Sequence, residues 1–203
     1  MLKRIHLISN LLIKKPEEMK KIVSMTVCLF ILVGFANAQK FKPAPDFLKG
    51  ETKINVIFDY SKVVYDDDSQ EEYYKGKDKS WVEKWEGERR FINNSCFLNN
   101  LNDELKEVNV IAGEFPNAQY TMVVYVMDCD FGAFAGPMSV PASLECKICF
   151  MKTGTTQALS FITLHESQDP YSAMGTAVDF DRIYLAFGEM GEEVGDKLVK
   201  VLK

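Results

Sequence analysis

Ile183, Phe187, Met190, Val194, Leu198 and Val201 step through the last stretch of the chain by 4, 3, 4, 4 and 3 residues. That spacing is one stripe on a helix, and a helix with a single apolar stripe is stable only when another layer covers it. The cover has to come from upstream, so this pattern constrains the fold more than any other feature. Gly188, Gly191 and Gly195 lie beside the stripe, where a missing side chain lets the helix approach the strands closely. Inside a helix they are wrongly placed for a phosphate loop, which needs glycines between a strand and a helix N-terminus.

Upstream, Ile54, Val56 and Phe58 alternate with Asn55, Ile57 and Asp59, the period of a strand running toward Tyr65. Asp66-Asp67-Asp68-Ser69 ends it, and Ser69 is placed to cap a short helix over 70–74. Ser80 followed by Glu83 has the form of a capping box and predicts a helix starting at Trp81. Its apolar residues fall into two sets, with Trp81, Trp85, Ile92 and Cys96 on one face and Phe91, Leu98, Leu101 and Leu105 on another. A break at Gly87 would account for this, as would one long kinked helix over 80–107, which is the expectation.

Residues 120–127 are apolar on both faces, which predicts an interior strand. Leu144, Cys146, Ile148 and Phe150 alternate with Ser143, Glu145, Lys147 and Cys149 as a half-buried strand, and Thr153-Gly154-Thr155 turns the chain into another over 158–164. Irregular segments are expected at 131–141 and 166–178. Strand, helix, three strands and helix in that order predict an α+β fold. The expected form is a two-layer sandwich: a four-stranded mixed or antiparallel sheet with two long helices on one face.

At the other end, Met19-Lys20-Lys21 precedes an apolar run over 22–35 and then Ala36-Asn37-Ala38, which together form a signal peptide cleaved after Ala38. Residues 1–18 read as an over-long start ahead of Met19, the alternative being an extended basic leader or a membrane-surface helix. Thr26-Val27 precede Cys28 where a lipobox wants a small residue, so a soluble periplasmic or extracellular protein is expected. The organisation is an N-terminal extension and signal peptide over 1–38, a flexible Pro- and Gly-containing lead-in over 39–52, and a single α+β domain over 53–203. Removing residues 1–38, with six basic and two acidic residues, leaves a net charge of −9. Such a chain lacks the clustered Lys and Arg that nucleic acids require. No transmembrane segment is expected after cleavage.

The same cut leaves one histidine, His165, which excludes sites built on several. A serine or cysteine nucleophile would have to use it as base, without a Gly-x-Ser-x-Gly elbow. Cys146-Lys147-Ile148-Cys149 has CxxC spacing but falls in a strand, where the two thiols point to opposite faces, not at a helix N-terminus. Of the four remaining cysteines, Cys96 and Cys146 are the pair expected to meet across the core as a disulfide. Asp128 and Asp130 share one strand face, and with Asp66-Asp67-Asp68 or Asp179 and Asp181 they are the candidates for calcium or an acid pair. The Asp-x-Asp-x-Asp-Gly loop order is missing. No catalytic set and no cofactor are expected.

Ile54–Ser61, Ser69-Gln70-Glu71-Glu72-Tyr73, Trp81 and Trp85, Asn99–Leu105, Pro116–Thr121 and Gly188–Leu202 resemble small secreted bacterial proteins of unknown function. The resemblance covers 53–203 and implies an exported β-α-β-β-β-α domain, loosely similar to the N-terminal domain of TolB. It transfers no catalytic residues. The function expected is that of a non-enzymatic binding or accessory module whose partner is a protein or envelope component. The alternatives are a hydrolase or ligand-binding enzyme using Asp128, Asp130 and His165, and a calcium-stabilised module.

Overall fold

Apolar alternation places a strand wherever one face of it can be buried, and the computed structural model shows the sheet that results. It describes residues 39–134, 139–168 and 179–203, so residues 1–38, where a signal peptide is expected, and the segments 135–138 and 169–178 lie outside the described residues. The strands are β1 (Lys53–Asp59), β2 (Val64–Tyr65), β3 (Asp68–Ser69), β4 (Ile111–Gly113), β5 (Tyr120–Asp130), β6 (Ser143–Lys152) and β7 (Ala158–Ser167). The helices are α1 (Gln70–Lys75), α2 (Lys79–Phe91), α3 (Asn99–Leu105) and α4 (Asp179–Leu202).

The fold is mixed α/β with a mixed sheet, but the sheet has seven strands where four were expected. The three extra strands are two or three residues long, too short to show a period. β5 is central: β6 runs antiparallel along one edge, and β1 and then β2 run parallel along the other. Beyond them, β4 pairs parallel with β1 and β7 pairs antiparallel with β6. The long first strand expected toward Tyr65 breaks at Tyr60, where the Ser61 amide donates to Asp59 Oδ1 (2.8 Å) and the Val63 amide to the Tyr60 carbonyl (3.2 Å).

α1 starts as its sequence dictates, with a reciprocal cap in which the Glu72 amide donates to Ser69 Oγ and Ser69 Oγ donates to Glu72 Oε2. The capping box expected at Ser80 and Glu83 is absent. α2 begins at Lys79 behind an extended Asp78, which leaves Ser80 inside the helix and pairs Glu83 with Lys79.

The two apolar faces of the long helix are explained by a π-helical segment, Ile92–Leu98, joining α2 to α3. Trp85, Ile92, Phe97, Leu101 and Leu105 are all fully buried, and the step from Ile92 to Phe97 is five residues. A π turn absorbs one residue more than an α turn, which rotates the second set onto the same side as the first. The helix therefore needs no break at Gly87.

Buried residues of these helices and of α4 form one cluster with Ile54, Met122, Val124, Leu144, Cys146, Ile148, Ile162 and Leu164, one face of the sheet. The glycines of α4 meet the other helix, not the strands: a Cβ at Gly191 would lie 2.3 Å from the Phe97 carbonyl oxygen, and one at Gly195 would lie 2.5 Å from Glu104 Cβ. Phe41 and Leu48, from the 39–52 segment, join the same core, so residues 39–203 are one unit with its own interior. Among the described residues no helix is long and apolar enough to cross a membrane.

Candidate functional site

Three places in the structure are candidates for function. The first is the C-terminal end of β5. The turn between β2 and β3 places Asp66 and Asp67 at φ 49° and 69°, a left-handed conformation that Asp tolerates better than most residues. Asp66 faces Asp130, whose Oδ1 accepts from the Gly132 amide at 2.6 Å. Burial, and then the Asp130 carboxyl beside it, push the Asp66 carboxyl up to about 6, against the opposing pull of Tyr73 and Lys77.

Asp128 is also raised, first by burial, and the charges of Asp130 and Asp67 add to this while the Cys129 amide and His165 oppose it. Its Oδ1 is buried without a hydrogen-bond partner. In register, Asp128 stands beside Glu145, and Glu145 beside His165. Two strand spacings thus separate Asp128 from His165, about 10 Å. Asp128 and His165 share a row, while Asp130 is held by Gly132. Asp179 is engaged elsewhere, accepting from Arg182 Nη2 at 2.6 Å. Among the described residues no group of three His, Cys, Asp or Glu side chains is arranged to hold a metal ion.

The second place is a polar knot that sequence reasoning missed. Arg89 Nη2 donates to the hydroxyls of Tyr65 and Tyr74, each at 2.7 Å, and to Gln70 Oε1 at 3.1 Å. Its guanidinium also lies 4.7 Å from the Tyr60 ring centroid. The fully buried Tyr65 accepts a second bond, from Trp85 Nε1, at 3.1 Å. Tyr60 donates to Asn93 Oδ1 in the π segment at 2.6 Å. Burial pushes the Tyr60 phenol well above its ordinary value. The knot ties α1 and α2 to β2. The signal available in the sequence was an arginine four residues after Trp85, on the buried side of the helix.

The third place is the sheet face turned away from the helices. Ile57, Val123, Cys149 and Phe161 stand in one register row across β1, β5, β6 and β7. Ile57 and Phe161 remain 49% and 40% exposed. Lys147 lies 5.1 Å from the Phe161 ring centroid. Cys149 is on this face, whereas Cys146 faces the helices. Cys96, Cys129, Cys146 and Cys149 are all free thiols, with Cys96 half-buried on the π segment. Burial raises the Cys96 thiol to about 11.

No family model and no curated protein matches the sequence. Among solved structures the chain is similar to a PelC dodecamer from Paraburkholderia phytofirmans, at 7% identity and a TM-score of 0.44 over 77% of this chain and 98% of that one. It is also similar to a minor lipoprotein from Acinetobacter baumannii, at 8% identity and a TM-score of 0.32 over 74% and 94% of the two chains. At such identities and scores neither likeness assigns a fold or an activity to this chain.

Proposed function

We propose that residues 39–203 are an exported, non-enzymatic binding or accessory module of the cell envelope, and that a protein or envelope component docks on the open face of the sheet. The observation that carries this reading is the row Ile57, Val123, Cys149 and Phe161, whose two ends stay exposed on a face no described helix covers. Exposed Ile57 and Phe161 supply apolar contact area at the two ends of the row, while Val123 and Cys149 between them are 7% and 4% exposed. The signal-peptide pattern and the resemblance to small secreted proteins support the export half of the reading. The experiment is site-specific photo-crosslinking in envelope extract, with the reactive group at Phe161 and, as control, at exposed Glu83 on α2. A discrete adduct from position 161 alone is expected; the same adducts from both positions, or none, would refute the reading.

One observation favours a hydrolase instead: burial and the neighbouring Asp130 carboxyl raise Asp66 to about 6, so it can hold a proton in mildly acidic solution. On that reading Asp130→Asn abolishes turnover of an ester or glycoside in a substrate panel. Panel activity unaltered by Asp130→Asn removes it.

A further inference from the structure

Among the described residues the sheet ends in β3, β4 and β7. β3 and β4 are two and three residues long, whereas β7 has ten. An edge strand of that length presents a row of backbone groups ready to pair with another chain, and proteins ordinarily blunt such a row with lysine, proline or a covering segment. β7 contains neither Lys, Arg nor Pro. Its edge is covered at Phe161, where the Lys42 amide donates to the Phe161 carbonyl at 2.8 Å and the Phe161 amide donates to the Lys42 carbonyl at 3.2 Å.

That pair fixes which way the rest of the edge faces. Backbone groups alternate sides along an antiparallel strand, so the N–H and C=O of Thr163, His165 and Ser167 point outward like those of Phe161, while Ile162, Leu164 and Glu166 bond toward β6. The register with β6 runs unbroken from Phe161 to Ser167. No backbone group among the described residues bonds to the outward groups of Thr163, His165 and Ser167, and the side chains of all three are exposed.

Charge gives this edge a sign. Glu166, between His165 and Ser167, is half-buried on the helix side of the sheet and makes no ion pair among the described residues. Burial, and then the charge of Glu193 on α4, raise its carboxyl; Lys197 opposes this and Glu189 adds to it. Lys197 is already paired with Glu193 at 2.7 Å, so Glu166 has no cation of its own. On the other side of the sheet Phe161 is 40% exposed at the end of the open stretch.

We propose that the edge of β7 from Thr163 to Ser167 is a strand-addition site, taking an extended segment of a partner protein in which Lys or Arg alternates with apolar residues. The segment pairs its backbone with Thr163, His165 and Ser167, turns its basic side chains toward Glu166 and α4, and lays its apolar ones on the side of Phe161. Charge selects this occupant over a second copy of the chain, since two copies bring together net charges of −9 and the same unpaired Glu166. The site rests on the reading that a protein docks on this sheet, and adds where the partner's backbone pairs and which charge it carries.

The test is fluorescence polarisation of labelled heptapeptides with the 39–203 protein. A peptide of alternating lysine and valine is expected to bind saturably, and one of alternating glutamate and valine at least about tenfold more weakly. Methylating the backbone nitrogen of every valine, the residues whose amides face β7, keeps the charge and removes the donors, and should also cost at least about tenfold. Thr163→Pro removes an outward N–H at an edge position where proline is tolerated, and should weaken binding to the same extent. Glu166→Gln should cost about threefold, as a partly exposed ion pair does. Absence of binding, equal affinity for the lysine and glutamate peptides, or no loss on N-methylation would overturn the proposal. So would a dimer of the free protein that Thr163→Pro dissociates, which assigns the edge to a second copy. If Thr163→Pro melts lower than the wild type, the N-methylated peptide decides, since it leaves the protein unchanged. Failure here leaves the crosslink from Phe161 in envelope extract unaffected, so the two readings fall separately.

Discussion

The contact between α4 and the helix before β4 is set by one hydrogen atom at Gly191. Replacing it with a methyl in Gly191→Ala puts the new carbon 2.3 Å from the Phe97 carbonyl oxygen and 3.0 Å from Phe97 Cα and carbonyl carbon. Real Cβ atoms essentially never come closer than 3.0 Å to a neighbour, so the two helices must part by about 0.7 Å at least. The obstacle is backbone, and no rotamer change relieves it. A gap of that size forfeits roughly a quarter to a half of the dispersion energy of each contact it opens. The contacts in question are between side chains as buried as Phe97, Leu101, Phe187 and Met190.

Overpacking of this kind costs about 3 kcal/mol at the upper end, offset by about 1 kcal/mol from the better helix propensity of alanine. The net loss is about 2 kcal/mol, or about 4–8 °C in melting temperature for a domain of this size. Gly87→Ala is the matched control, because a Cβ there meets nothing within 4 Å. With only the propensity gain left, it should stabilise by up to about 1 kcal/mol. Urea unfolding of both variants, followed by circular dichroism, reads the difference of about 3 kcal/mol implied by these terms. Equal stability of Gly191→Ala and the wild type would refute the close approach of the two helices.

Tyr65→Phe removes the oxygen that accepts from Trp85 Nε1 and Arg89 Nη2, leaving a buried indole N–H unpaired, and should cost about 2 kcal/mol in the same urea assay. Asp66, raised to about 6 when folded, binds its proton more tightly in the native than in the unfolded chain. Stability should therefore fall as pH rises from about 4, the unfolded value, through the folded value, and Asp66→Asn should flatten that slope. The effect is shallow because the Asp66 carboxyl is only partly withdrawn from water, and a stability that rises over this interval would contradict the reasoning. Native alkylation followed by mass spectrometry should modify Cys96 slowly and leave Cys129 and Cys146 untouched until denaturant is added, since those two are fully buried. A disulfide-linked peptide joining Cys96 to Cys146 would overturn the free-thiol description.

The periodic elements were legible because their signal is local. Alternation marked β1 and β6, a run apolar on both faces marked β5, the turn at Thr153-Gly154-Thr155 introduced β7, and the stripe from Ile183 to Val201 marked α4 to within a few residues. The divided apolar faces between Trp81 and Leu105 were legible as a conflict, though not as its solution. A five-residue step has no preferred reading until something packs against both halves. The carboxylates at the end of β5 were visible in the sequence, but the proximity of Asp66 to Asp130 depends on a strand pairing of only two residues. Arg89 escaped notice because a cation on a helix ordinarily faces water.

By itself, then, the sequence determined the helix and strand types, the capped start of α1, the lone histidine of the 39–203 chain and its acidic balance, all set by neighbours a few residues apart. Only the tertiary structure decided that β1 and β2 share one edge of β5, that a π turn unites the two helical faces, and that the α4 glycines meet Phe97 and Glu104 and not the sheet. It also decided that Ile57 and Phe161 are left outside on the open face. Each of these depends on groups far apart in the chain coming within a few ångströms, where backbone sterics and the burial of one shared core select a single arrangement.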